Sequence, residues 1–408
     1  MAKTDRYIVA LDVGSTKVGV LVGERSAGGG LDVIGKGTAP ARGTRKGNIV
    51  DVDKVVESIK KAVEEAEIMA GVEIAEGFVG VAGAHVKSFN SRGAVAIASR
   101  DRQVTRDDVS RALEAARSIS IPPDREILHV IARQYVVDEQ DGIADPVGMV
   151  ANRLAVDVHV VTGAVTPTQT LVTCINRAGI AVQSLILEVL AGARAALSKD
   201  EKELGSLFVD IGGGTTEYAL FRRGAVAHTG VLPIGGEHFT SDLSIVLKTP
   251  MEDAERIKKK YGCILESAVD AAETIEVPAF GGRAPRLSSS RILCDILRPR
   301  AEELFTLIHD ELKANGLERE MGAGVTLAGG AAELDGISDV AERVFDVPVR
   351  KAVPAGVGGL VDVVASPEWT TATGLLMLGS ESGGLAGGRP PAGLGAWIKS
   401  LFGPKGIR

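Results

Sequence analysis

Two short stretches carry the residue types that phosphate chemistry asks for. Asp12-Val-Gly14-Ser15-Thr16-Lys17 and Asp210-Ile-Gly212-Gly213-Gly214-Thr215-Thr216 each follow an apolar run and place an aspartate two residues before a glycine. Glycine lets backbone N–H groups approach an anion closely, the hydroxyls add donors, and a carboxylate can hold hydrated Mg²⁺. Lys17 adds a positive point charge. One such turn alone reads better as a plain hairpin bend; a second copy, at an offset of 198 residues between Asp12 and Asp210, reverses that and favours two phosphate-facing arms.

A third glycine turn, Gly329-Gly330-Ala331, follows the apolar Val325-Thr-Leu-Ala and precedes a helix expected from about Leu334. With Gly235-Gly236 and a helix bearing Glu255, Lys258 and Lys259, it completes a set able to surround adenine and ribose. The bland alternatives are packing at a strand-to-helix turn and a solvated lysine face. Glu188, in Ile186-Leu-Glu188-Val-Leu-Ala-Gly192, stands where a strand gives way to a helix. A carboxylate there can orient a water for attack on a terminal phosphate, and an acid at a helix start also suits the helix dipole. The six histidines show no ligand spacing, so none is assigned to catalysis.

These residues need elements to hold them. Tyr7 to Leu11 and the Val18, Val20, Val22 run read as a hairpin around the first turn, and a second hairpin starts at Leu207. Val55, Val56, Ile59, Val63 and Ala66 share one helical face that ends at Gly71. Between the hairpins, strands at Gly93 to Ala98, Ile127 to Val137 and Leu154 to Thr162, with a Thr105–Asp108 capping box, make residues 85–162 an inserted α+β module. Thr166-Pro167 and Thr249-Pro250 read as helix starts. Arg291 to Ala314 is a helix that Pro299 should kink or split, residues 279–290 read as a surface loop, and the glycines and prolines of 379–393 as a flexible tether.

Composition sets the outer limits. The 408 residues carry 46 basic and 53 acidic side chains, a net charge of −7, which disfavours a general nucleic-acid binder. Hydrophobic residues at 45% and charged residues at 24% are ordinary for a globular chain of two to four domain-sized units. Three scattered cysteines support neither a disulfide framework nor a zinc site, and point to a reducing cytoplasm. No run reaches the ~18 apolar residues of a membrane span, and an aspartate interrupts the N-terminus before a signal-peptide core can form. The tail differs: Leu394, Trp397, Ile398, Leu401 and Phe402 make one apolar stripe with Lys399 facing away, and no acid follows Glu381. That pattern suits reversible insertion into an anionic bilayer; the alternative is a helix that packs back on its own domain.

The paired hairpins and the Gly-Gly turn resemble the actin, Hsp70 and sugar-kinase superfamily. The phrases HVKSFNSRGAVAI from His85, PPDREILHVIARQYVVD from Pro122 and TPMEDAERIKKKYG from Thr249 resemble, more specifically, the FtsA family of bacterial cell-division proteins. The resemblance implies an α/β actin-like ATPase fold of two halves around a nucleotide cleft, with an inserted subdomain and a C-terminal amphipathic helix. The halves would be 1–84 with 163–197, and 198–230 with 305–378; the remaining parts would be 85–162, a small subdomain 231–304, a linker 379–393 and a membrane helix 394–408. It further implies ATP and Mg²⁺ as cofactors, with Asp12 and Asp210 holding the metal through water, Glu188 orienting the attacking water, and at most weak hydrolysis. The function implied is an adaptor that ties the tubulin-like FtsZ to the cytoplasmic face of the membrane at the division site. FtsZ's tail would meet 231–304, where Arg300 matches the family's Pro-Arg motif but reads equally as an unpartnered surface arginine. Later division proteins would meet 85–162, copies of the chain would form protofilaments, anionic lipids would take the tail, and no nucleic acid is expected. A pilus-assembly adaptor and a small-molecule kinase of the same superfold are the alternatives.

Overall fold

The computed structural model describes residues 6–383 apart from positions 27, 46 and 271. The membrane-helix residues Leu394, Trp397, Ile398, Lys399, Leu401 and Phe402 lie outside the described residues. Among the described residues, no helix is long and apolar enough to cross a membrane.

The first hairpin pairs Tyr7–Val13 (β1) with Lys17–Arg25 (β2), antiparallel from Tyr7↔Glu24 to Val13↔Val18, and Leu31–Pro40 (β3) adds a third strand. Residues 18–23 are buried throughout, because the sheet is covered on both faces. A short hairpin, Thr44–Arg45 (β4) with Asn48–Ile49 (β5), precedes Val52–Ala70 (α1). Asp51 caps α1 by accepting from the Lys54 N–H, and Gly71 ends it in the left-handed conformation. Glu76–Val81 (β6) then runs parallel to β1.

The inserted module comprises Lys87–Ala96 (β7), Arg106–Arg117 (α2), Arg125–Val137 (β8), Gln140–Ile143 (β9) and Arg153–Ala164 (β10), an antiparallel sheet in the order β7-β10-β8-β9. The Thr105–Asp108 capping box is present, and the module has its own core around Leu113, Val130 and Val156. The chain returns through Val165–Arg177 (α3), Ala181–Leu187 (β11), Glu188–Ala196 (α4) and Lys199–Leu204 (α5). Here α3 begins two residues ahead of the expected start, with Ala164 rather than Thr166 at the cap; Pro167 is accommodated in the first turn, where N–H groups lack helical partners anyway.

The second half repeats the first. Ser206–Ile211 (β12), Thr216–Arg222 (β13) and Ala225–Leu232 (β14) form the hairpin and its third strand; Gly236–Leu247 (α6), Met251–Tyr261 (α7), Thr274–Val277 (β15), Arg286–Ser289 (β16) and Arg291–Ala314 (α8) follow. Val325–Ala328 (β17), Ile337–Phe345 (α9), Val349–Lys351 (β18), Gly358–Gly359 (β19) and Thr370–Gly383 (α10) complete the described chain. Both large sheets have one order, β11-β6-β1-β2-β3 and β18-β17-β12-β13-β14, with β19 extending the first beyond β3. Register repeats too: Asp12 pairs with Gly19, and Asp210 pairs with Glu217.

Several expectations need correction. Pro299 does not split α8, because it sits on the exposed side while Leu293, Leu297, Ala301, Leu304, Phe305 and Ile308 keep one buried face across it. The second part of the 279–290 loop is β16, paired with β15 from Val277↔Arg286 to Thr274↔Ser289. Pro250 rather than the Thr249 side chain occupies the cap of α7. The tether cannot start at 379: α10 continues to Gly383, with Gly379 fitted against Phe78 and Ile8. The boundaries read at 230/231, 304/305 and 378/379 thus fall inside β14, α8 and α10, and the core of the second sheet is continuous with α6, α7 and α8.

Candidate functional site

The two phosphate-type turns adopt the same backbone hydrogen bond. The Gly14 N–H donates to the Lys17 carbonyl at 2.9 Å, and the Gly212 N–H donates to the Thr215 carbonyl at 3.0 Å. They face each other across one cleft of about 1220 Å³. The approach is close: a Cβ on Gly213 would fall 2.5 Å from Thr16 Cγ2, so only glycine lets the second turn lie against the first. Asp12, Gly14, Ser15, Thr16, Lys17, Asp210, Gly212, Gly213, Gly214 and Thr215 all line the cleft.

The third turn and α6–α7 close one end. Gly236, Glu255, Lys258, Lys259, Gly329, Gly330 and Ala331 line it, as expected. Gly236 and Glu237 donate their N–H groups to the carbonyls of Gly212 and Gly213, both at 2.8 Å, fixing the start of α6 on the second phosphate-type turn. Lys258 is buried, and its ammonium donates to the Gly236 carbonyl at 2.9 Å and to Thr240 Oγ1 at 2.7 Å, with Glu255 Oε2 at 2.6 Å. Lys259 is exposed on the same helix. Lys258 is therefore structural as well as cleft-lining. Two expected residues do not line the cleft: Thr216 is buried with its hydroxyl on the Ile234 carbonyl at 2.7 Å, and Gly235 packs under the second turn.

The floor is a set of carboxylates, Glu217 buried and Asp12, Glu188 and Asp210 half-buried. Burial pushes Asp12 up to about 6, with Asp210 and Glu368 adding to the rise and Lys17 opposing it. Burial also raises Asp210, against a hydrogen bond from Thr371 Oγ1 at 2.5 Å. Glu188 lines the cleft, and burial together with the charges of Asp12, Glu217 and Asp210 holds its carboxyl well above the ordinary range. Glu217 was not singled out from the sequence; burial lifts it to about 8, and its Oε1 accepts the Gly83 N–H at 2.7 Å while Oε2 has no partner. His85, which lines the cleft with both ring nitrogens unpartnered, and the rim residues Glu368 and Thr371 were missed as well. An acid in mid-strand at Gly19's counterpart was the available signal for Glu217; the others have none in a single sequence. Among the described residues, no group of three or more His, Cys, Asp or Glu is placed to cage a metal.

Arg300 lies away from this cleft. It is not unpartnered: its guanidinium forks onto Asp242 at 2.7 and 3.0 Å and also contacts Glu303.

Comparison with known proteins agrees with this architecture. The chain has 18% identity to a PilM–PilN type IV pilus biogenesis complex, covering 92% of this chain and 98% of that one with a TM-score of 0.67. MreB5 of Spiroplasma citri bound to ADP shares 15% identity over 91% of this chain and 95% of its own, with a TM-score of 0.55. These likenesses establish an actin-like fold. The family model for cell division protein FtsA matches residues 207–374, and that for the SHS2 domain inserted in FtsA matches 83–162. Cell division protein FtsA of Pseudomonas aeruginosa is 47% identical over 93% of this chain and 90% of its own length, and that of Escherichia coli K12 is 38% identical over 98% and 97%. Likeness of this extent, joined to the doubled hairpin and the module inserted between its copies, makes the chain a member of the FtsA cell-division family.

Proposed function

We propose that the protein is an actin-like, ATP-binding cell-division adaptor that tethers FtsZ filaments to the inner face of the cytoplasmic membrane. The observation that carries the nucleotide part is the pair of glycine turns with one backbone geometry facing each other across one cleft, a third glycine turn beside them. The division part rests on family membership.

The residues suit Mg²⁺ bound with a polyphosphate. Four acids, the buried Glu217 and the half-buried Asp12, Asp210 and Glu188, crowd a site in which Lys17 is the cation opposing Asp12 and Asp210, so added positive charge is favoured. Mg²⁺ keeps most of its waters and needs one or two carboxylates beside phosphate oxygens; Asp12 and Asp210 fit that role without a protein cage. Bound there, the ion would neutralise phosphate charge. Ser15, Thr16 and Thr215 supply hydroxyls, and the open backbone at Gly213 and Gly214 supplies N–H donors, the Gly14 and Gly212 N–H groups being used within their own turns. Glu188 would orient water, in a slow switch rather than an efficient ATPase.

Calorimetry with Mg-ATP tests the cleft. Binding by the wild type that is lost in Gly213→Val, whose new side chain meets Thr16, is the expected result; unchanged affinity would remove the two turns from the site. For the adaptor role, FtsZ should sediment with anionic vesicles only when the full chain is present, and not after deletion of 394–408. FtsZ left in the supernatant by the intact chain would overturn the tether. We also propose that the FtsZ tail meets 231–304 near Arg300, that later division proteins meet 85–162, and that copies assemble head to tail. An acidic tail at Arg300 has to compete with Asp242, so Arg300→Glu should weaken FtsZ-tail affinity without loss of ATP binding.

A further inference from the structure

The segment from Pro367 to Thr371, just before and at the start of α10, touches all three glycine turns. Pro367's carbonyl accepts the Gly329 N–H at 3.0 Å, and the Thr371 hydroxyl donates to Asp210 Oδ2. Between them, Lys17 Nζ lies 3.2 Å from both the carboxylate and the carbonyl of Glu368, and 3.8 Å from the centre of the Trp369 ring. The ring is 4% exposed and set against Gly19 of β2, so it is fixed while the lysine is the flexible partner. Glu368 lines the cleft and its side chain is 45% exposed.

Resting on the nucleotide reading above, we infer that Glu368 competes with a bound polyphosphate for Lys17 and so sets its affinity, and that Trp369 registers the exchange. An ammonium has a single charge to share. An ion pair with a half-exposed carboxylate is weakened by solvent, whereas a polyphosphate brings several negative charges to the same donor. A carboxylate at the rim also repels that anion. As Lys17 turns to the phosphate it leaves the indole face to Lys36, whose Nζ is 4.3 Å from the ring centre and held by the Val363 carbonyl, and the loss of one of two cations near a fixed ring changes the ring's emission. Because Asp210 and Gly329 hold the same segment, the exchange is felt at the start of α10, whose far end is tied by the Arg194–Glu381 ion pair.

The test uses the full chain carrying Trp397→Phe, which leaves Trp369 as the sole tryptophan. Mg-ATP is titrated with emission and heat recorded on the same samples. Trp369 emission should change with the calorimetric midpoint, and adenosine, which has no phosphate, should leave it unchanged. Adding Glu368→Gln should tighten Mg-ATP binding about two- to five-fold, the factor a partly exposed ion pair supplies. Lys17→Met should abolish the emission change while weakening binding. Heat of binding with flat Trp369 emission, or Glu368→Gln with unchanged or weaker affinity, would overturn the inference. Absence of heat in every variant would instead defeat the nucleotide reading itself, and this inference with it.

Discussion

Glu217 occupies the position that Gly19 holds in the first hairpin, so the doubled architecture is asymmetric at one buried side chain. An acid inside Thr-Glu-Tyr-Ala-Leu-Phe looks, in sequence, like the outward face of a half-exposed strand. Its meaning became visible only because residues 216–221 of β13 are buried on both faces. The phosphate-turn residues were legible for the opposite reason: their chemistry is local to a few consecutive positions, and it occurs twice. The buried carboxyls bear on stability. Glu217 goes from the ordinary 4.5 to about 8 on folding, so between those values the folded chain keeps a proton that the unfolded chain has released. Stability is therefore full below about 4.5 and is lost as pH rises toward 8. Glu217→Gln retains an acceptor for Gly83 and carries no charge. Without nucleotide, its melting temperature should match that of the wild type near pH 4 and exceed it by at least about 2 °C at pH 8. A difference that does not grow with pH would show that Glu217 is not the group being titrated.

Among the elements, those with a cap and a periodic face were readable, and those buried all round were not. Gly71 ends α1 and the Thr105–Asp108 box opens α2 as the sequence suggested, while the Asp51 cap of α1 is seen only in the structure. By contrast, residues 370–379 of α10 are buried throughout, so no apolar stripe marks them, and Gly379, buried there together with Gly374, reads in the sequence as the start of a tether. Those glycines serve packing. A Cβ on Gly374 would collide with the Ala191 carbonyl oxygen of α4, the helix that begins at Glu188. The sign of Gly374→Ala is thus decisive. In an exposed helix the change would stabilise by about 1 kcal/mol through helix propensity, but at this crossing it forces α4 and α10 apart at a cost of about 1–3 kcal/mol. Urea denaturation should show a lower midpoint; a higher one would mean that the two helices do not cross at this distance.

At the scale of the whole molecule, the cleft divides the chain but the core does not. One continuous apolar cluster joins Ile8, Leu21 and Phe78 of the first half, Leu128 and Ile131 of the inserted module, and Phe208 and Phe221 of the second half through α4 and α10. Polar contacts cross the same boundary: Gly83 to Glu217 at 2.7 Å, Ser88 Oγ to the Thr229 carbonyl at 2.8 Å, and His159 Nε2 to Thr229 Oγ1 at 2.9 Å. Burying His159 between Asn90 and Thr229 holds its ring neutral, down to about 3, chiefly through desolvation. A shared core of this kind cannot be removed from one half while the other stays folded, so calorimetry should record one transition in which the calorimetric and van't Hoff enthalpies agree. Two resolved transitions would show that the halves are energetically separate. A ligand held by both turns binds only the assembled molecule. Mg-ATP at a hundred times its dissociation constant should then stabilise the single transition by about 2.7 kcal/mol, as simple linkage requires. Gly213→Val should melt without any such shift, and a shift of equal size in that variant would place the ligand outside the cleft between the halves.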